Sequence, residues 1–233
     1  MKKIGLIGGI TWHSTVLYYQ YLNEGVARRM GNKHSSNCLI ESVDFADISE
    51  KQEKGQWEIL NRDFAEIAHR LEKAGAELIL VCANTMHLCA DAIKENTSIP
   101  LLHIAEICGE EIKKKRCTKV LLLGTKYTME LDFYKDILKN QYGIEVLVPS
   151  VADRQIVHDV IYTELAKGII SKDSKKQYLE IIEKSTAEGV EAVILGCTEI
   201  PLLIQQGDCE IPVIDTTRIH AEAAVDYALS NIN

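Results

Sequence analysis

This chain lacks an excess of positive charge, a long apolar run, a paired-cysteine motif and a nucleotide-binding glycine signature. Each absence removes a class of function. Lysine and arginine number 26 against 34 aspartate and glutamate, a net charge of -8, which argues against nucleic acid or an anionic membrane as the main partner. A small anion stays admissible, because a local cluster of N–H groups with one or two cations outweighs a distant negative surface. No apolar stretch reaches the roughly 18 residues that a membrane span needs. Seven cysteines (Cys38, Cys82, Cys89, Cys108, Cys117, Cys197, Cys209) form no CxxC pair, so there is no zinc spacing and no sign of a disulfide scaffold. That usage fits a reducing cytoplasm. Gly5, Gly8 and Gly9 do not follow GxGxxG, which leaves a nucleotide site weakly supported. The apolar start after Met1-Lys2-Lys3 is short, broken by glycines and without a small-residue cleavage pattern, so it reads as a strand and its turn.

What is present is the composition of an ordinary globular protein, 46% apolar and 26% charged. The 233 residues suffice for one large domain or two small ones. Within them runs a near-duplication. Gly75-Ala76-Glu77-Leu78-Ile79-Leu80-Val81-Cys82-Ala83-Asn84-Thr85 reappears 114 positions later as Gly189-Val190-Glu191-Ala192-Val193-Ile194-Leu195-Gly196-Cys197-Thr198-Glu199. Lys3 to Gly9 is matched by Lys119 to Thr125, and Ser98 to His103 by Glu210 to Asp215, offsets of 116 and 112. Three strand-plus-turn units therefore recur in one order. Between them lie helical stripes: Phe64, Ile67, Ala68 and Leu71 within 63–73, Tyr178, Ile181 and Ile182 within 176–187, and a last helix over 218–229. Short apolar strands alternating with helices indicate parallel βαβ units covered on both faces. The expected fold is α/β: two pseudo-symmetric, Rossmann-like lobes with parallel sheets, 1–100 plus 211–233 and 101–210. Ligands of such sheets bind beyond the carboxyl ends of the strands, which places Gly8-Gly9, Ala83-Asn84-Thr85, Gly124-Thr125 and Cys197-Thr198-Glu199 along a cleft between the lobes.

The two copies differ chemically at one point, where Cys197 in the second meets Ala83 in the first. Pro201 signals a helix start just beyond Cys197. A helix N-terminus there would lower the thiol pKa and welcome a carboxylate. A free cysteine is most often a small buried hydrophobe, the expected state of Cys38, Cys89, Cys108, Cys117 and Cys209. Cys197 is the exception, because its strand has ended and polar residues follow. Asn84 and Thr85 are compatible with an Asx-type turn; paired by the repeat with Cys197 and Thr198 they resemble a clamp for an α-carboxylate. Cys82 is a poor substitute base, since neighbouring strand side chains alternate faces. His87 reads as a capping or core residue. Lys51, Gln52, Lys126 and Lys167 are candidate partners for a distal carboxylate.

With the Gly-Leu-Ile-Gly-Gly start, Asn84 to His87, Leu123 to Met129 and Leu195 to Glu199, the chain resembles the aspartate/glutamate racemase family along essentially its whole length. The resemblance implies paired α/β lobes with the active site between them, usually in a homodimer, and no pyridoxal phosphate or other cofactor. It also implies two cysteines flanking the substrate α-carbon, one taking the α-proton and the other returning a proton to the opposite face. The second corresponds to Cys197; the first corresponds to residue 83, alanine here. Asn84, Thr85, Thr125 and Thr198 are expected to hold the α-carboxylate, Gln52 and Lys167 the side-chain carboxylate, and Glu199 the amino group or the thiol. Ile10 at the first glycine turn joins the expected substrate contacts. Ala83 marks an engineered change, a natural one-thiol member, or different one-base chemistry. The expected activity is racemisation of aspartate- or glutamate-type amino acids. The alternatives are a one-thiol decarboxylase of the arylmalonate kind and an amino-acid-binding protein without catalysis.

Overall fold

The computed structural model describes residues 1–230 and divides into two compact units, Met1–His103 with the segment from His220, and Ile104–Ile219. Residues 211–219, expected with the first lobe, lie in the second unit, because the strand they contain pairs there, and 101–103, expected with the second lobe, lie in the first, where Leu101 bridges to Ile79; 231–233 lie outside the described residues.

In the first unit, β1 (Ile4–Gly8) is followed by α1 (Trp12–Met30), β2 (Cys38–Ser42), α2 (Phe45–Glu53), α3 (Trp57–Lys73) and β3 (Leu78–Val81). A short 3-10 helix, Thr85–Cys89, and α4 (Ala90–Asn96) come next. The sheet has the order β2-β1-β3 and is parallel throughout. Every residue of β1 and β3 is buried, as a parallel sheet covered on both faces requires. Alternation along the strands divides the core. Ile7, Ile79 and Val81 pack with Leu60, Phe64, Ile67, Ala68 and Leu71 of α3. Ile4, Leu6, Leu78, Leu80 and Cys82 pack on the other face with Tyr18, Leu22 and Val26 of α1. Cys82 thus faces the core as its position implies, and burial pushes its thiol pKa far up. The stripe of α3 reaches back to Leu60, so that helix starts a turn and a half before the 63–73 stretch that periodicity marked.

The second unit runs α5 (Ile104–Lys114), β4 (Lys119–Gly124), α6 (Lys126–Glu130), α7 (Asp132–Tyr142), β5 (Glu145–Leu147), α8 (Val151–Thr163), α9 (Lys172–Ala187), β6 (Ala192–Gly196) and β7 (Val213–Asp215). Its parallel sheet has the order β5-β4-β6-β7. Leu121, Leu123, Val193 and Leu195 pack toward α8 and α9, and Val120, Leu122, Ala192 and Ile194 toward α5 and α7. Ser171 caps α9 by accepting from the N–H groups of Asp173 and Ser174, which starts the helix ahead of its apolar stripe. The final helix, α10 (Thr216–Leu229), begins in this unit and continues into the first.

The two halves of the repeat are not equivalent at their third strand. Val213–Asp215 forms β7, whereas the matching Ser98–His103 contributes only one bridge, Ile79 with Leu101. Two backbone bonds hold it, Ile79 N to Pro100 O and Leu102 N to Ile79 O, before the chain enters α5. Among the described residues no helix is long and apolar enough to cross a membrane.

Candidate active site

In the first unit the register Ile7 with Val81 carries Gly8–Ile10 alongside Cys82–Asn84 at the carboxyl ends of β1 and β3. Gly9 has φ +90, and a Cβ there would lie 2.2 Å from the Val43 carbonyl oxygen, so only glycine fits. Its N–H donates to Thr15 Oγ1 at 2.8 Å. Ile10 and Ala83 are buried in the same apolar cluster as Ile48 and Met86, and the side chain at position 83 is a methyl that can neither accept nor donate. Asn84 and Thr85 start the 3-10 helix. Gln52 of α2 is buried, and its amide donates to Met86 Sδ at 3.0 Å, which brings it to this turn. Lys51 is committed elsewhere, to Asp47 at 2.7 Å and Asp63 at 2.8 Å.

His87 is buried and its Nδ1 lies 2.8 Å from the Ala83 carbonyl oxygen. Its ring contacts those of His103, centroids 4.8 Å apart, and His220, 5.5 Å apart. Tyr18 OH meets His220 Nδ1 at 2.7 Å and His220 Nε2 meets Leu102 O at 2.8 Å. The sequence does not show this cluster, since the three histidines are far apart in it and His87 alone reads as a capping or core residue. Among the described residues no cluster of three metal-ligating side chains has geometry for a metal. Burial lowers the pKa of His87 to about 4, of His220 to about 3 and of His103 to about 2. Since the folded values lie below the unfolded one near 6.5, the unfolded chain binds more protons in that window, and stability is lost as pH falls below it. Each histidine held neutral costs about 1.4 kcal/mol per pH unit across its window. A melting temperature that falls steadily from pH 7 to pH 5 is expected in a calorimetric pH series.

In the second unit the register Gly124 with Gly196 sets Thr125 and Cys197 side by side at the carboxyl ends of neighbouring strands. Thr125 caps α6, its hydroxyl accepting from Thr128 N at 3.3 Å. Cys197 is largely buried, and its Sγ donates to Glu199 Oε2 at 2.9 Å. Thr198 Oγ1 donates to the same oxygen at 2.7 Å. The resting sulfur is therefore a thiol held by a carboxylate.

The expectation of a lowered thiol pKa is overturned. After Cys197 the chain forms only a 3-10 turn, Ile200–Leu202, with Pro201 near its start, too short for a macrodipole to accumulate. Burial first, then the charge and hydrogen bond of Glu199, raise the Cys197 pKa well above its usual value. Removing that charge should lower it. In Glu199→Gln, the midpoint of Cys197 alkylation by iodoacetamide, followed by mass spectrometry, is expected at lower pH than in the parent; an unchanged midpoint would contradict this electrostatic account.

Tyr178, which periodicity marks as core, is buried with its hydroxyl donating to Val157 O at 2.9 Å. Cys197 packs against the same apolar cluster as Tyr178 and is among the groups that raise its pKa, so this phenol belongs to the thiol's surroundings. Lys167 is exposed at the end of the 3-10 turn Leu165–Lys167. Lys126 is also exposed, and its backbone N–H donates to His158 Nδ1 at 3.2 Å. Among the described residues, no hydrogen bond brings either lysine side chain to the thiol, whose partner is Glu199.

A family model described as Asp/Glu/Hydantoin racemase matches residues 7–224. A crystal structure of a candidate Asp/Glu racemase from Yersinia pestis is 47% identical, with a TM-score of 0.94 over 98% of this chain and 100% of that one. An aspartate racemase homologue from Pyrococcus horikoshii OT3 is 38% identical, with a TM-score of 0.87 over 98% and 99%. The broad-specificity amino-acid racemase RacX of Bacillus subtilis (strain 168) is 23% identical over 170 residues, 70% of each chain.

Proposed function

The chain belongs to the Asp/Glu/Hydantoin racemase family, and we propose that it acts on amino acids of the aspartate or glutamate type through a single thiol. The observation that carries this reading is the Cys197–Glu199 pair at the carboxyl end of β6, 2.9 Å apart, in a chain whose matching first turn ends in the methyl of Ala83. Cys197 is the base. Its proton passes to Glu199 or to solvent, and the thiolate removes the α-proton of a bound amino acid. Asn84, Thr85, Thr125 and Thr198 hold the α-carboxylate, whose developing enolate charge is stabilised by N–H and hydroxyl dipoles. Gln52 and Lys167 are assigned to the side-chain carboxylate, and Ile10 to the apolar wall. No pyridoxal phosphate enters these steps. The same reading includes a cytoplasmic homodimer, and analytical ultracentrifugation checks the dimer.

With one base, the proton leaves and returns on one face, so the principal event is Cα–H exchange rather than inversion. Incubation of L- and D-aspartate and L- and D-glutamate with the protein in D2O, followed by proton NMR, tests the assignment: at least one of the four should lose its Cα–H signal. No loss from any of them would remove the reading. The solitary thiol also suits decarboxylation of a disubstituted malonate, where one proton donor suffices. Release of CO2 from an arylmalonate without amino-acid exchange would favour that second reading.

A further inference from the structure

The histidine behind the first turn has a geometric consequence for the peptide it touches. The Ala83 carbonyl is an acceptor only, so the contact at 2.8 Å requires that His87 Nδ1 carry the proton. The ring that carries it is held by packing. His103 and His220 lie against it, and His220 is itself anchored at both nitrogens, by Tyr18 OH and by Leu102 O. Four segments of the first unit thus converge on one imidazole: α1 through Tyr18, α10 through His220, the 102–103 stretch, and the 3-10 helix that bears His87. The imidazole in turn draws the carbonyl of residue 83 inward. In a planar trans peptide the carbonyl of one residue and the N–H of the next point in opposite directions. A carbonyl 83 turned toward His87 therefore turns the Asn84 N–H away from it.

We propose that His87 is a positioning residue, fixing the 83–84 peptide so that the Asn84 N–H is presented to the α-carboxylate of the amino-acid substrate. This rests on the amino-acid reading above and extends it to a residue that does not touch substrate. It also accounts for a buried imidazole at a turn whose side chain at 83 is only a methyl: the backbone of that turn, rather than its side chain, is what the cluster controls. A rotated 83–84 peptide would present a carbonyl oxygen to the carboxylate, exchanging attraction for repulsion between two acceptors.

The test compares His87→Leu, which keeps apolar bulk and removes the donor, with His87→Asn, whose amide nitrogen can occupy the place of Nδ1. In the parent, 15N NMR of histidine-labelled protein at neutral pH should show His87 protonated on Nδ1 and not on Nε2. His87→Leu should shift the Ala83 carbonyl and Asn84 amide resonances, and weaken binding of aspartate or glutamate in calorimetry by about ten-fold or more, the scale of a charge-assisted hydrogen bond. The loss should fall on KM more than on kcat, and His87→Asn should recover affinity. Unchanged resonances and affinity in His87→Leu, or an Nε2-protonated parent ring, would overturn the proposal. If His87→Leu does not fold, the parent tautomer and the His87→Asn affinity decide it. Should the parent bind none of the four amino acids, the amino-acid reading falls, while the carbonyl and amide shifts still decide whether His87 sets the peptide.

Discussion

Ala83→Cys is expected to raise the rate of inversion, as distinct from exchange, by about 10²–10⁴-fold, the usual contribution of a positioned proton-transfer group. The parent side chain at 83 is a methyl at the end of β3, buried in a cluster with Ile10, Ile48 and Met86. Cysteine adds one sulfur to that methyl and keeps its apolar character. The neighbouring thiol cannot serve in its place: Cys82 faces the opposite side of the strand, packed with Leu80 and Tyr18. Gly9 lies beside position 83 with no side chain, and Asn84 offers an amide, which does not abstract protons. Chiral chromatography of aspartate and glutamate incubated with each protein measures the change. Equal inversion in parent and variant would mean that position 83 is not the missing base.

Cys197→Ser should lower Cα–H exchange by a similar factor of about 10²–10⁴. Serine reproduces the size of the side chain and its ability to donate to Glu199, so packing and the hydrogen bond change little. What changes is acidity. An alkanol is ionised far less readily than a thiol, and the environment is already set against the anion by burial and by Glu199. The parent rate itself should climb with pH into the alkaline range, because a raised pKa leaves only a small thiolate fraction at neutrality. Exchange in D2O followed for both proteins over a pH series measures both effects. A serine variant as active as the parent would remove Cys197 from the chemistry.

The parts of this molecule that are legible in the sequence are those where chemistry repeats along the chain. β1, β3, β4 and β6 announce themselves as continuous apolar runs, since a strand buried on both faces admits nothing else. The turns that follow them carry the polar residues, which is why Cys197, Thr125 and Asn84 stand out. β2 and β5 are harder to read: Cys38–Ser42 includes Glu41, Glu145–Leu147 starts on an exposed acid, and runs of five and three residues with mixed burial are too short to display the two-residue period of a half-solvated strand. The sign of the thiol pKa shift is hidden in the sequence for a specific reason. Pro201 marks a helical start equally well for one turn or for four, and burial of the sulfur, with Glu199 folding back onto it, decides the sign. The imidazole cluster joins positions 87, 103 and 220 from three separate segments, and only tertiary packing reveals it.

A single thiol working on one face of the substrate leaves a distinctive isotopic pattern. The direct measurement is to incubate each enantiomer of aspartate and glutamate in D2O and to score deuterium at Cα and inversion separately, by mass spectrometry after chiral separation. Deuterium is expected in one enantiomer of at least one of the two amino acids, with configuration largely retained. Deuterium entering both enantiomers alike, with inversion keeping pace, would show a second base at work and contradict it.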